Sequence, residues 1–176
     1  LTYGMQPDMK TSNLIFSCLL LSAGVSASEQ IGDKNWEQHP EVKVIRALYS
    51  EINTAQKNGK RKKEGKKCVL YQGSVEIEGE IYRDPESIVR KYVVDAGSGD
   101  SRARAEYYYS ESGVPRFTFR FRGAFNGTEV EERLYFDEQG QPLYTDRKEK
   151  GPGYTPSGLT DSVADPRSDY ADLCKE

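Results

Sequence analysis

The sequence is poor in histidine, and its only imidazole belongs to His39, directly before Pro40. Nucleophilic centres of the Ser-His-Asp or Cys-His kind need an imidazole to accept the nucleophile's proton, and zinc sites are built mainly from clustered histidines and cysteines. A proline in this position is typical of the first turn of a helix. The sequence therefore predicts no metal site, no cofactor and no His-dependent catalysis, and it identifies no catalytic residues.

Long apolar runs are also scarce, and the clearest one lies within residues 9–27, MKTSNLIFSCLLLSAGVSA. It has a positive start at Met9 and Lys10 and small residues up to Ala27, as a signal peptide does. Its apolar core of about 13 residues is shorter than the roughly 20 that a spanning helix needs, so a permanent anchor is the weaker alternative. We predict cleavage after Ala27, export to the periplasm or the extracellular space, and no transmembrane anchor after cleavage. Residues 1–8 are interpreted as an upstream remnant.

Cysteine is limited to three residues, of which Cys18 lies inside the predicted signal peptide. The mature chain would keep the pair Cys68 and Cys174. In an oxidising compartment such a pair is more simply a disulfide than a metal site or a nucleophile. We therefore predict one disulfide that ties the C-terminal tail to the start of the strand-rich region.

Charge of neither sign dominates, since the chain has 25 Lys and Arg residues and 28 Asp and Glu residues, which gives a net charge of -3. Binding to nucleic acid or lipid would therefore have to be local. The local candidate is segment 57–67, KNGKRKKEGKK, which we predict to be a flexible basic loop. Its cations either stabilise a helix C-terminus or contact an anionic polymer or membrane surface. Nucleic acid is the disfavoured partner, because no aromatic residues are interleaved for base stacking. The basic residues are Lys57, Lys60, Arg61, Lys62, Lys63, Lys66 and Lys67.

Apolar residues with helical spacing precede segment 57–67. Val42, Ile45, Tyr49 and Ile52 recur at intervals of three and four residues, with polar residues between them. This spacing predicts an amphipathic helix over residues 41–56. Its simplest role is to cover one face of a sheet.

Short alternating runs divided by turn residues predict strands after Cys68. Two ten-residue segments, Tyr108–Phe117 and Tyr135–Tyr144, align without gaps, and each predicts a strand, a tight turn and a strand. Residues 151–176 are predicted to be an irregular tail. Together these features predict one α+β domain over 28–176, with the N-terminal amphipathic helix packed on a curved antiparallel β-meander of about five to seven strands. The predicted strands are 69–71, 75–82, 88–95, 102–110, 115–124, 129–137 and 142–148.

The dipeptide Asn126-Gly127 is a strong hairpin signal and sets the predicted register. A two-residue turn there places Phe117 opposite Phe136 and Arg120 opposite Arg133. The apolar face is then expected to hold Phe117, Phe119, Phe121, Leu134, Phe136, Ala105, Tyr107 and Tyr109. The wet face is expected to hold Arg104, Tyr108, Arg116, Arg120, Arg122, Arg133 and Tyr135. This Arg/Tyr face is either a ladder of surface ion pairs or a platform for carboxylate, sulfate or phosphate groups.

These patterns favour an exported, non-enzymatic binding module that recognises an anionic or carbohydrate ligand through the Arg/Tyr face. Its partner would be an extracytoplasmic protein or an anionic polymer of unknown identity. One alternative is a carboxylate-dependent hydrolase of cell-wall or extracellular polysaccharide. The sequence singles out no carboxylate pair for it, since Glu76, Glu78 and Glu80 alternate with apolar residues as the wet face of a strand does. A second alternative is contact with an anionic membrane or nucleic acid through segment 57–67.

Overall fold

The structure is a computed structural model that describes residues 31–32, 34–153 and 163–175. The predicted signal peptide and upstream remnant lie outside the described residues. Helix α1 spans Pro40–Lys57 and follows a short 3-10 turn at Trp36–Gln38, while helix α2 spans Pro166–Asp172. Seven strands lie between the helices: β1 Lys62–Leu70, β2 Val75–Arg83, β3 Val89–Gly97, β4 Ser101–Tyr109, β5 Pro115–Ala124, β6 Glu129–Phe136 and β7 Pro142–Lys150.

The strands form one antiparallel sheet in which each strand pairs with the next along the chain, from β1 to β7. The antiparallel sheet accompanied by a helix agrees with the predicted architecture. The two repeated segments form matching hairpins, because Gly113 and Gly140 both adopt positive φ and donate their N–H groups to Ser110 and Asp137. Glycine takes this left-handed conformation without a steric penalty.

The predicted register between β5 and β6 is wrong by one residue. The turn has three residues, with Gly127 at φ 84° donating to the carbonyl of Ala124 at 3.0 Å. Phe117 consequently pairs with Tyr135, and Arg120 pairs with Glu132. A one-residue slip moves every side chain of a strand to the other face of the sheet. In β4 it is Tyr108, and not its two tyrosine neighbours, that shares a face with Phe117.

Both faces of the sheet carry an apolar core. On one face, α1 packs Val42, Ile45 and Ile52 against Tyr108 and Phe117. On the other face, α2 places Tyr170 in a cluster of residues from β2, β3 and β4. In β3 and at the end of β4, side chains from successive positions are therefore buried on alternate faces of the sheet.

The C-terminal region is more regular than predicted, because α2 lies within the tail that was expected to be irregular. Asp165 caps this helix by accepting hydrogen bonds from the N–H groups of Arg167 and Ser168. The Sγ atoms of Cys68 and Cys174 lie 2.17 Å apart, at disulfide distance. The tail is thereby tied to β1, as the cysteine count predicts.

Candidate functional site

A cleft of about 530 Å³ opens between the N-terminal half of α1 and strands β4 to β7, and it is called the α1 cleft below. Its volume falls within the range of small-molecule sites. The cleft is lined by Trp36, Glu37, Ile45, Arg46, Tyr49, Glu106, Phe117, Phe119, Arg133, Tyr135, Asp146 and Lys148.

The floor of the α1 cleft is aromatic. Trp36 stacks on Tyr144 with ring centroids 5.3 Å apart, and it also contacts Tyr135 at 5.6 Å. Tyr135 contacts Phe117 at 5.1 Å, and the ring of Tyr49 on α1 approaches Phe117 at 5.5 Å. Rings that hold one another in this way have few alternative rotamers, so the floor is preorganised for a flat apolar surface.

Charged groups of both signs line the cleft beside this aromatic floor. Arg133 donates to Glu131 at 2.9 Å and to Asp146 at 3.4 Å, and its guanidinium lies 5.5 Å from the ring centroid of Phe119. The cleft walls contain the cations Arg46, Arg133 and Lys148 and the anions Glu37, Glu106 and Asp146. The α1 cleft is therefore rich in donors and acceptors but has no dominant sign of charge.

Charges from α1, from the turn before it and from the sheet act on Tyr135 at the floor of the cleft. Burial raises the pKa of Tyr135 above its ordinary value. The nearby cations of Arg46 and Arg133 oppose this rise, whereas the carboxylates of Asp146 and Glu37 add to it. The Tyr135 hydroxyl thus lies within the field of groups from both α1 and the sheet.

A buried ion pair lies behind the cleft, where α1 meets β3 and β4. The ammonium of Lys91 lies 2.9 Å from Glu106 and donates to Asn53 at 3.0 Å and Gln56 at 3.3 Å. Glu106 also accepts from Tyr108 at 2.5 Å and Arg104 at 2.9 Å. The pair links the C-terminal half of α1 to the sheet.

Glu106 is held as a carboxylate by these donors. Burial alone would raise its pKa, but hydrogen bonds from Tyr108, Lys91 and Arg104 and the charge of Lys91 outweigh burial and lower the pKa. A general acid needs the opposite shift. Because both oxygens already accept hydrogen bonds, Glu106 acts as a structural anchor at the inner wall.

The seven residues of the predicted Arg/Tyr face do not form one surface, and their predicted placement on a single wet face is wrong. Only Arg133 and Tyr135 line the α1 cleft. Arg104 and Tyr108 share that face of the sheet, but Tyr108 is fully buried and Arg104 pairs with Asp95 and Glu106. The remaining three lie on the opposite face and are Arg116, Arg120 and Arg122.

On that opposite face, three arginines surround one buried carboxylate. Glu132 pairs with Arg120 at 2.9 Å, with Arg122 at 3.0 Å and with Arg147 at 2.8 Å. The predicted pairing of Arg120 with Arg133 is therefore wrong, because the true register places Glu132 opposite Arg120. Arg116 is also buried and donates to the carbonyl of Phe136 at 3.2 Å. These arginines are therefore bound to partners within the sheet.

The basic segment 57–67 is not the predicted flexible loop, because its second half forms edge strand β1. Arg61 pairs with Glu51 at 2.7 Å, and Lys66 donates to the carbonyls of Tyr170 and Ala171 at the end of α2. Lys62, Lys63 and Lys67 pair with Glu64, Glu80 and Glu76. Four of the seven cations of this segment are therefore ion-paired and Lys66 is held by backbone carbonyls, so most of its charge is locally neutralised.

Glu106 and Asp146, the two carboxylates that the sheet contributes to the lining of the α1 cleft, are widely spaced. Glu106 and Asp146 occupy one row of the sheet, on β4 and β7, with Phe119 and Arg133 between them. Three inter-strand steps separate their Cα atoms by about 14 Å. Glycosidase carboxylates lie about 5 to 9.5 Å apart.

The cleft residues Trp36 and Asp146 were missed from the sequence, and so was Tyr144, on which Trp36 stacks. The available signals were the single Trp just before the helix and the aromatic position that ends the second repeat. Within the described part of the chain, no cluster of three or more His, Cys, Asp or Glu could hold a metal ion. No described helix is long and apolar enough to cross a membrane.

No protein-family model, curated protein or solved structure matches this chain. The basis for a functional assignment is therefore the geometry of the α1 cleft.

Proposed function

We propose that this protein is an exported, non-enzymatic α+β binding protein, with α1 packed on a curved meander, and that the α1 cleft takes a carbohydrate. The observation that carries the proposal is the aromatic floor of the cleft beside charged groups of both signs. Its central elements are Trp36, which stacks on Tyr144, and the adjacent pair Arg133 and Asp146.

A sugar ring fits this combination of surfaces. Its apolar face packs on aromatic rings, while its hydroxyls both donate and accept hydrogen bonds. Arg133 supplies donors and Asp146 supplies acceptors at the same wall. A wholly anionic ligand would find Arg46 and Lys148 attractive but would be repelled by Glu37 and Asp146. Of the two ligand classes that the sequence favours, carbohydrate agrees better with the cleft.

The binding role is favoured over hydrolysis by the state of Glu106, which is ionised and already accepts hydrogen bonds from three side chains. The proposal of export is supported by the pair Cys68 and Cys174 at bonding distance, because disulfides persist in oxidising compartments. Contact through segment 57–67 is the weaker candidate, because most of its cations pair within the protein.

Tryptophan fluorescence tests the carbohydrate proposal directly, because Trp36 is the only Trp in the chain and lines the cleft. The wild-type protein is titrated with neutral and acidic mono- and oligosaccharides, and isothermal calorimetry verifies each response. We expect saturable changes in Trp36 emission with neutral sugars. Asp146→Asn should weaken that binding by about tenfold or more, because an acceptor becomes an amide.

The matched control is Glu138→Gln, a carboxylate-to-amide change at an exposed position in the β6–β7 turn. It should bind as the wild type does. Absence of a response to every sugar, or unchanged affinity in Asp146→Asn, would contradict the assignment of the α1 cleft to carbohydrate.

A further inference from the structure

A second cavity of about 440 Å³ lies along the C-terminal half of α1. Tyr49 and Glu106 line both this second cavity and the α1 cleft. The two spaces therefore adjoin at these side chains, and together they follow the flank of α1 from its N-terminal half to Lys57. Tyr49 stands at the junction with 41% of its surface exposed.

The helix presents hydrogen-bonding groups to the second cavity. Ser50, Thr54 and Lys57 follow one another at spacings of four and three residues, so they share one side of α1. All three are exposed, and they supply two hydroxyls and an ammonium. This wall suits a ligand that carries several hydroxyls.

The inner wall of the second cavity contributes little net charge. Lys91 and Glu106 line it, but they lie 2.9 Å apart and neutralise each other. The C-terminal end of α1 also carries the negative end of the helix dipole, and the ammonium of Lys57 in the last turn offsets it. The second cavity is therefore better matched to a neutral group than to a phosphate or sulfate.

We propose that the α1 cleft and the second cavity are adjoining subsites of one groove, and that the ligand is a neutral oligosaccharide of at least two units. One unit lies on the aromatic floor beside Trp36, the next lies beside Ser50 and Thr54, and Tyr49 contacts the linkage between them. This inference rests on the proposed carbohydrate function and adds the length and charge of the ligand.

The test is the dependence of affinity on ligand length. The probes are malto-, cello- and chito-oligosaccharides of one to four units, titrated by Trp36 fluorescence and calorimetry. In the wild type, we expect the second unit of the preferred series to raise the affinity by about tenfold or more. Thr54→Val should reduce that gain to about threefold or less while the affinity for the monosaccharide stays unchanged.

Thr54→Ser is the matched control, because it keeps the hydroxyl and should keep the gain. Equal affinity for one and two units in the wild type, or a full gain in Thr54→Val, would overturn the two-subsite inference. A monosaccharide response without length dependence would leave the carbohydrate function of the α1 cleft standing, whereas no response to any sugar would overturn both.

Discussion

Replacement of Lys91 by Met tests whether the buried ion pair anchors α1. The side chains of Lys91 and Glu106 are only 6% and 15% exposed, and Lys91 also bonds Asn53 and Gln56 on the helix. Breaking a buried pair by removing one partner costs about 3–5 kcal/mol. Because Glu106 would keep its bonds from Arg104 and Tyr108, we expect the free energy of unfolding to fall by about 2–3 kcal/mol. This is a large part of the roughly 5–15 kcal/mol that stabilises an ordinary domain.

Urea unfolding, followed by Trp36 fluorescence and far-ultraviolet circular dichroism, measures this loss. A double-mutant cycle with Glu106→Gln isolates the pairwise energy, which should be about 1–3 kcal/mol. Lys43→Met, at an exposed position of α1, is the matched control and should change stability by less than about 0.5 kcal/mol. If Lys91→Met costs no more than this control, the pair does not anchor the helix.

The carboxylate of Glu106 should also contribute to the loss of stability at acid pH. Because the folded pKa of Glu106 lies below its ordinary value, the unfolded chain binds a proton at this position first as pH falls. The stabilisation is therefore present above about pH 5 and is lost as pH falls through the folded pKa. Asp95 and Glu80 also have lowered pKa values and add to the slope. Stability of Glu106→Gln should fall less steeply below pH 5, and an unchanged slope would refute the reasoning.

Two further predictions concern the attachment of the tail and the opposite face. Joint replacement of Cys68 and Cys174 by Ala should lower the free energy of unfolding by about 4–5 kcal/mol, since the bond spans 106 residues. Reductant should lower the urea midpoint of the wild type but leave that of the double variant unchanged. An oxidised wild type that reductant does not destabilise would contradict this. Glu132→Gln should cost about 3–5 kcal/mol in the same assay, because Arg120, Arg122 and Arg147 would lose their shared carboxylate. A loss below about 0.5 kcal/mol would show that other groups satisfy these arginines.

The elements of this fold were predictable where local chemistry determines them. The stripe from Val42 to Ile52 predicts a helix over 41–56, and α1 spans Pro40–Lys57. The two repeats predict their hairpins because Gly113 and Gly140 occupy left-handed turn positions. Such signals depend on residues that are close together in the sequence, so they predict local structure independently of tertiary contacts.

The register between β5 and β6 was not predictable in the same way. Asn126-Gly127 is compatible with a two-residue turn and with the three-residue turn that forms, and these differ by one position of pairing. Hydrophobic alternation usually decides such a case. Here both faces are covered, so Leu134 is buried on one face and Tyr135 on the other. With the true register, Arg133 and Tyr135 lie on the face that α1 covers. The predicted Arg/Tyr face is therefore split between the two faces of the sheet.

The role of the basic segment 57–67 depends on ion-pair partners that are distant in the sequence. Lysines on an exposed edge strand discourage pairing with another chain, and this is a common role at the edge of a sheet. Lys63 and Lys67 lie beside glutamates that alternate along β2. The lysines and glutamates look like two unrelated charged stretches in the sequence, but in the sheet they neutralise each other.

The position of the α1 cleft follows from the alternation of β7. Tyr144 lies on the α1 face and packs against Trp36, and the next two residues on that face are Asp146 and Lys148. A helix that covered them fully would have to strip water from both charges and from Arg133, which costs several kcal/mol per ion. Helix α1 instead buries Val42, Ile45 and Ile52 over the aromatic rows and leaves the charged row at the mouth of the cleft. The same strand thus contributes a ring that holds the helix end and charges that keep the adjacent space open.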